Sequence, residues 1–360
     1  MTSLKLVLVH LGEELPDYLI NNLFYLKKSF PKEEIYLIID SMNHVHNPKL
    51  SEIELFQYKS NNLKLEESLN RISHTVIFRD GFWRKTIERI FAVTEFHKTF
   101  PDGSAILHIE SDVLITPNFP LSKLNENTLP DLGWCPYSAE EDVAAILFSR
   151  NLQSSLELEK CLIELLSEDH SLTDMTALNR VKDRLGRRVF YFPLTPVTEN
   201  IKASKTSETI QENLSEINEY FDLFGGVFDS LSVGMYTWGI DPRNTYGFTL
   251  IHNNSQSKAQ RAYVIPEKQC VFLDSSDSLI YRISNKEFNL FATHIHSKNI
   301  GLFEKVGSRE MKKLVTMKKS RHFYSFNIEI FLSLLKSNWH EKTLFNYLIS
   351  PLRKRLRWLA

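Results

Sequence analysis

The first forty residues alternate between two periodicities, and that alternation limits the fold more than any other feature. "LKLVLVHL" (4–11) and "EIYLIID" (34–40) are short β-rich runs. Between them, "PDYLINNLFYLKKSF" sets Leu19, Leu23, Leu26 and Phe30 at helical spacing. A strand, a helix and a second strand in so short a span imply parallel strands joined by a right-handed crossover. The pattern goes on. "HTVIF" (74–78) reads as a third strand and "FWRKTIERIFAVTEFHKTF" as a helix that stops before Pro101-Asp102-Gly103. "AILHIESDVLI" (105–115) then reads as one buried strand. The expected class is α/β, with a mostly parallel central sheet flanked by helices. Residues 51–73 are polar with weak helical spacing, and no internal repeat is present.

Further along, "DVAAILFSRN" (142–151) is an apolar strand and "LQSSLELEKCLIELLSE" a helix. "SLTDMTALNRVKDRLG" is a second helix, with Ser171 or Thr173 as its cap and Gly186 as its stop. "RRVFYFPL" is a strand, and residues 197–218 are polar loop or helix. "FGGVFDSLSVGMYTWGIDPRNTYGF" (224–248) has no clean period and reads as a shaped binding loop. "FNLFATHIHSKNIGLF" (288–303) is a late strand, and the last fifty residues are helical.

The 360 residues allow one large or two medium domains. A net charge of −1 gives no bias toward polyanions, so nucleic acid is a poor candidate partner. Cys135, Cys161 and Cys270 form no paired spacing and read as reduced core thiols, which suits a cytoplasmic protein. "MTSLKLVLVHLGEEL" meets acid at Glu13 and Glu14 too soon for a secretory signal. No run approaches the roughly 18 apolar residues of a membrane span.

In parallel sheets, ligands bind beyond the carboxyl ends of the strands. His10, Asp40, Glu110 and Asp112 all fall at such ends. Neither GxGxxG nor GxxxxGK[ST] occurs, so any bound phosphate needs another counter-charge. On an extended strand His108, Glu110 and Asp112 share a face. Glu110 and Asp112 offer hard oxygen ligands for Mg2+ or Mn2+, and an added imidazole favours Mn2+. Otherwise they are acids capping the next turn. His108 reads as a core histidine. In "THIHSKN", His294 and His296 are also two apart, and either could complete the metal shell while Lys298 meets a phosphate. The alternative is an ordinary surface strand.

The order of these segments resembles that of the GT-A glycosyltransferases, closest to the retaining, glycogenin-like family 8. That family's DxD, "NAG-V-L", "DQDALN", "YLPL" and HFxGxxKPW motifs have loose counterparts here. They are Glu110-Ser-Asp112, "AAILFSRN", "DMTALNRV", "YFPL" and "HIHSK". Glu110 replaces an Asp, Met175 and Thr176 replace a Gln and an Asp, and the late motif lacks its Gly and KPW.

The resemblance implies a GT-A (Rossmann-like) domain over 1–307, with 197–287 as an acceptor-side insertion, then a helical tail over 308–360. It implies transfer of a sugar from a nucleotide-diphosphate donor to a glycan or lipid-linked acceptor, assisted by Mn2+ or Mg2+. Asp112 and His296 are the first-choice ligands and His294 the alternative. Glu110 meets the metal, the ribose or a bridging water. His10 and Asp40 would contact base and ribose, unless Asp40 only caps a turn. Arg84 and Lys85 would reach the donor, or else belong to a solvated helix face with Arg89. Lys298 would neutralise a phosphate, and Asp174 would meet the donor sugar's hydroxyls. Asp229 would be the base if the enzyme inverts and would orient substrate if it retains, with Asp241 a further candidate.

The tail "LISPLRKRLRWLA" is basic and amphipathic. It either lies on an anionic membrane surface, as bacterial surface-polysaccharide assembly would use, or packs on the domain. Two other functions fit parts of the pattern. A nucleotidyltransferase would share the sheet and the metal carboxylates, but "VHLGEELPDYL" lacks its phosphate signature. A membrane-associated binding protein would need a non-functional metal set.

Overall fold

A computed structural model describes residues 3–12, 14–41, 48–60, 63–72, 81–100, 103–194, 215–238, 271–273, 278–283 and 286–295. The alternation seen in the sequence becomes a seven-stranded sheet of order β3-β2-β1-β4-β7-β6-β8. Its strands are β1 (Leu4–His10), β2 (Glu34–Ile39), β3 (Glu54–Gln57), β4 (Ala105–Ile109), β6 (Leu132–Pro136), β7 (Asp142–Ser149) and β8 (Val189–Tyr191). β3, β2, β1 and β4 run parallel, and β6 pairs with β8 in parallel. Only β7 runs against its neighbours β4 and β6. The class is therefore α/β with a mostly parallel central sheet.

Helices cover the sheet. α1 (Asp17–Ser29) buries Leu19, Leu23 and Leu26, and carries Lys27 and Lys28 in its last turn, where cations suit the helix dipole. α2 (Leu63–Arg71), α3 (Phe82–His97), α4 (Leu152–Glu168) and α5 (Asp174–Leu185) follow. α4 and α5 each start on a reciprocal cap, Asn151 with Ser154 and Thr173 with Thr176. Two main apolar clusters result. One joins Trp134, Leu147 and Val189 to Leu158, Leu162 and Val181, and the other joins Leu107, Ile109 and Phe148 to Leu19, Leu23 and Phe228. Each fully buried Leu or Phe is worth roughly 1.5–3 kcal/mol.

A second sheet of five strands has the order β10-β11-β12-β5, with β9 paired to β12. These are β5 (Val113–Ile115), β9 (Gly226–Phe228), β10 (Val271–Leu273), β11 (Leu279–Ile283) and β12 (Lys286–His294).

Several expectations change. "AILHIESDVLI" is not one strand. Glu110, Ser111 and Asp112 form a turn, closed by Val113 N–H donating to Glu110 O at 3.0 Å, and the strand resumes in the other sheet. The polar stretch 51–73 contains β3 as well as α2. The glycine-aromatic stretch from 224 holds β9 and a helix over Ser232–Trp238. β6 has no counterpart in the sequence reading. "HTVIF", most of the 197–287 insertion and the 308–360 tail lie outside the described residues.

Candidate metal centre

The site forms where the two sheets meet. The main sheet delivers Glu110 at the end of β4, and Glu110 N–H donates to Ala145 O of β7 at 2.9 Å. The second sheet delivers His294, because β12 pairs antiparallel with β5 and sets His294 opposite Val113. Ile295 N–H then donates to Asp112 O at 2.7 Å. Asn22 of α1 donates to Ser111 O at 3.1 Å and to Val113 O at 2.9 Å, on either side of Asp112.

Three buried side chains converge there. His294 Nε2 lies 3.2 Å from Asp112 Oδ1 and 3.5 Å from Glu110 Oε2. One ligand atom from each of the three falls within 4.8 Å of the others. His294 Nδ1 faces Ser230 O at 3.4 Å, which turns Nε2 toward the carboxylates, where the deprotonated nitrogen can serve as a ligand. Two hard oxygens and an imidazole nitrogen suit Mn2+ or Mg2+. Bonds of about 2.1 Å put adjacent ligand atoms about 3 Å apart, so the two histidine–carboxylate separations fit, and a small side-chain shift would draw the two carboxylates to one ion.

Arg89 of α3 donates to Glu110 Oε1 at 2.5 Å. Burial pushes the Glu110 carboxyl up, but Arg89 and then His294 outweigh it and hold Glu110 below the ordinary carboxylate range. A cation at the triad would take the place of the proton that makes His294 a positive partner of Glu110 and Asp112. Asp174, at the start of α5, is also buried, and burial raises it to about 6 against the pull of Arg89. Its Oδ1 has no hydrogen-bond partner among the described residues. Thr176, where the family motif has an acid, is spent on capping α5.

Asp229 is buried and bonded through both carboxylate oxygens. Its Oδ1 accepts from Val233 N–H at 3.0 Å, and its Oδ2 accepts from Gly234 N–H at 2.6 Å and His294 N–H at 3.1 Å. Thr293 Oγ1 donates to the same oxygen at 3.3 Å and accepts from Trp238 Nε1 at 3.0 Å. This carboxylate latches the Ser232–Trp238 helix onto β12 beside His294. Gly234 is required for it, because a Cβ there would stand 2.0 Å from His294 O.

A second group gathers at the ends of β1 and β2. Asp40 Oδ1 accepts from Gly12 N–H at 3.1 Å, the turn-capping alternative for this residue. A Cβ on Gly12 would meet His10 Nε2 at 3.4 Å and Lys85 Nζ at 3.8 Å. His10, Asp40 and Lys85 therefore surround one glycine at the strand edge. Arg84 departs from the donor-contact expectation: it pairs with Glu66 of α2 at 2.8 Å, with Asn70, and with Glu88 at 3.7 Å. Its guanidinium ties α3 to α2. His108 is a core histidine, bonded through Nδ1 to Val7 O at 3.1 Å and driven to about 4 by burial and then Arg89. His296, Lys298 and Asp241 lie outside the described residues.

Sequence reasoning missed Asn22 and gave Arg89 no part in the site. Asn22 occupies a position of the α1 stripe, three after Leu19 and four before Leu26, where periodicity calls for an apolar residue. Arg89 stands likewise between Thr86 and Ile90 on the buried face of α3. A polar residue inside an apolar stripe was the available signal.

No family model and no curated protein matches the chain. Among solved structures it is similar to an active-site mutant of LgtC, at 12% identity over 59% of this chain and 82% of that one, with a TM-score of 0.38. It is similar to the glycosyltransferase GlyE of Streptococcus pneumoniae at 14% identity over 62% and 53%, with a TM-score of 0.35. A glycosyltransferase involved in glycosylation of the major capsid of PBCV-1 shares 14% identity over 52% and 81%, with a TM-score of 0.32. These likenesses concern the backbone and assign no residue and no chemistry.

Proposed function

We propose that the chain is a metal-dependent GT-A type glycosyltransferase that moves a sugar from a nucleotide-diphosphate donor to an acceptor hydroxyl. One observation carries the reading. Glu110, Asp112 and His294, from distant parts of the chain and from two different sheets, bring three ligand atoms within 4.8 Å at the carboxyl end of a parallel sheet. The order of sequence motifs supports it. These three residues would hold Mn2+ or Mg2+, which when bound neutralises charge developing on a departing diphosphate.

The chain's own residues have separate tasks. Arg89 keeps Glu110 ionised and aimed at the site. Lys85, with His10 and Asp40, lines the nucleotide side, where its ammonium meets phosphate as a point charge. Asp174, with a free acceptor oxygen, takes a sugar hydroxyl. Lys298 adds a phosphate contact, and Asp241 is the acceptor-side acid. Asp229 positions His294. His294 rather than His296 is the imidazole ligand in this reading.

The acceptor is a glycan or a lipid-linked glycan of bacterial surface polysaccharide or glycolipid assembly. The basic tail holds the enzyme to the cytoplasmic face of the membrane. Among the described residues no helix is long and apolar enough to cross a membrane. The test is a panel of nucleotide sugars incubated with Mn2+ or with chelator, reading nucleotide-diphosphate release and thermal shift. Metal-dependent release that Asp112→Asn removes while the fold survives is the expected result. Release unaffected by chelator, or full activity in Asp112→Asn, would sink the reading.

A further inference from the structure

We propose that Asn22 is a positioning residue for the cation site: its amide fixes the turn that carries Asp112 and so sets the metal affinity of that turn. The inference rests on the metal reading above. Asn22 is fully buried on the sheet-facing side of α1, among Leu19, Leu23 and Leu26. Its Nδ2 donates both hydrogens to backbone oxygens, Ser111 O at 3.1 Å and Val113 O at 2.9 Å. Both partners are carbonyls, so only the NH2 end of the amide can face them. Its Oδ1 is left without a hydrogen-bond partner among the described residues. A side chain kept only for packing would be Leu here, because a buried amide with an unmet acceptor is a cost that an apolar residue avoids.

The two bonded carbonyls bracket Asp112 in the chain. From the other side, Ile295 N–H donates to Asp112 O at 2.7 Å. The turn is thus held by α1 and by the residue after His294 together. A ligand carboxylate works only when its backbone is fixed to a fraction of an ångström, and groups that orient ligands without touching the metal typically change affinity 10- to 100-fold when lost.

The experiment titrates the full-length protein with Mn2+ alone and reads the free aqua ion by electron paramagnetic resonance. Asn22→Ala is expected to raise the Mn2+ dissociation constant about tenfold or more. Leu23→Ala, from the neighbouring buried position, is the control for lost stability: it lowers the melting temperature and leaves the Mn2+ affinity as in the wild type. Asn22→Ser, which keeps one donor, falls between and decides the matter if Asn22→Ala does not fold. An Asn22 variant that binds Mn2+ as the wild type does, or no more weakly than Leu23→Ala, overturns the proposal. A wild type that binds no Mn2+ overturns the metal reading and this role with it, an outcome distinct from the first.

Discussion

The two sheets solve different problems. The seven-stranded sheet is a scaffold whose parallel strands β2, β1 and β4 bring polar residues to a common edge at their carboxyl ends. The five-stranded sheet has one site-building task, which is to carry His294 back to Asp112. Broad apolar burial holds the first on both faces and extends into the second through Leu114, Leu290 and Phe228. The second is pinned at the site by a few polar contacts: Asp229 on three backbone N–H groups, Trp238 on Thr293, and Ile295 on Asp112. A scaffold built on area tolerates single changes, whereas a latch built on one carboxylate does not. The difference predicts which substitutions disable the site without dissolving the fold.

The sharpest way to break the second sheet's attachment is Asp229→Ala. It leaves the N–H groups of Val233, Gly234 and His294 buried and unpaired, at about 1–3 kcal/mol each before relaxation. The expected loss is about 3–5 kcal/mol in urea unfolding, with Mn2+ binding lost. Gly234→Ala attacks the same latch by steric overlap and should cost about 1–3 kcal/mol. Asp229→Asn keeping full stability would show that the latch does not depend on the charge.

The scaffold sheet carries its own weak point, a buried acid. Asp142 opens β7, and its Oδ2 accepts from Trp134 Nε1 and Tyr191 Oη, each at 2.9 Å. Burial raises it from 3.8 to about 7, against those hydrogen bonds. The folded state therefore holds this proton after the unfolded chain has released it. Its contribution is fully present below about pH 4 and is lost as pH rises to about 7, by at most about 4 kcal/mol. Unfolding at pH 4.5 and 7.5 should show that fall, and Asp142→Asn, which keeps an acceptor oxygen and removes this titration, should reduce it to the part that Asp174 contributes. A wild-type curve with the same slope as Asp142→Asn would contradict the assignment.

The smallest contrast lies on α3. Arg84 is a half-exposed pair with Glu66, and Arg84→Ala should cost at most about 1 kcal/mol and leave donor affinity unchanged. Lys85→Ala should leave stability unchanged and weaken nucleotide-diphosphate binding about tenfold, measured by calorimetry. A reversal of the two would move the nucleotide side of the site away from Gly12.

Legibility follows the same division. Strands β1, β2, β4 and β7 and helices α1, α3, α4 and α5 are readable because each has a clean period and terminal signals such as Thr173 and Gly186. β3 was hidden in a polar stretch, since an edge strand of intermediate burial shows no apolar run. β6, "LGWCP", contains Gly and Pro, which mask a strand that is fully buried. The break at Glu110–Asp112 is a change of sheet, and no local pattern encodes a change of sheet. Asp112 and Glu110 were readable as candidate ligands by residue type and strand-end position. That His294 stands against them depends on the β5–β12 register, a long-range pairing. Asp229 as a latch depends on three backbone groups that sequence cannot place.

If the proposed function holds, the two sheets meet to make one cation site. Crystals grown with Mn2+ and measured by anomalous diffraction at the manganese edge test it most directly. One strong peak is expected about 2–2.3 Å from Glu110 or its bound water, Asp112 and His294 Nε2. A peak bound elsewhere, or none at this triad in a crystal that holds Mn2+, would contradict it.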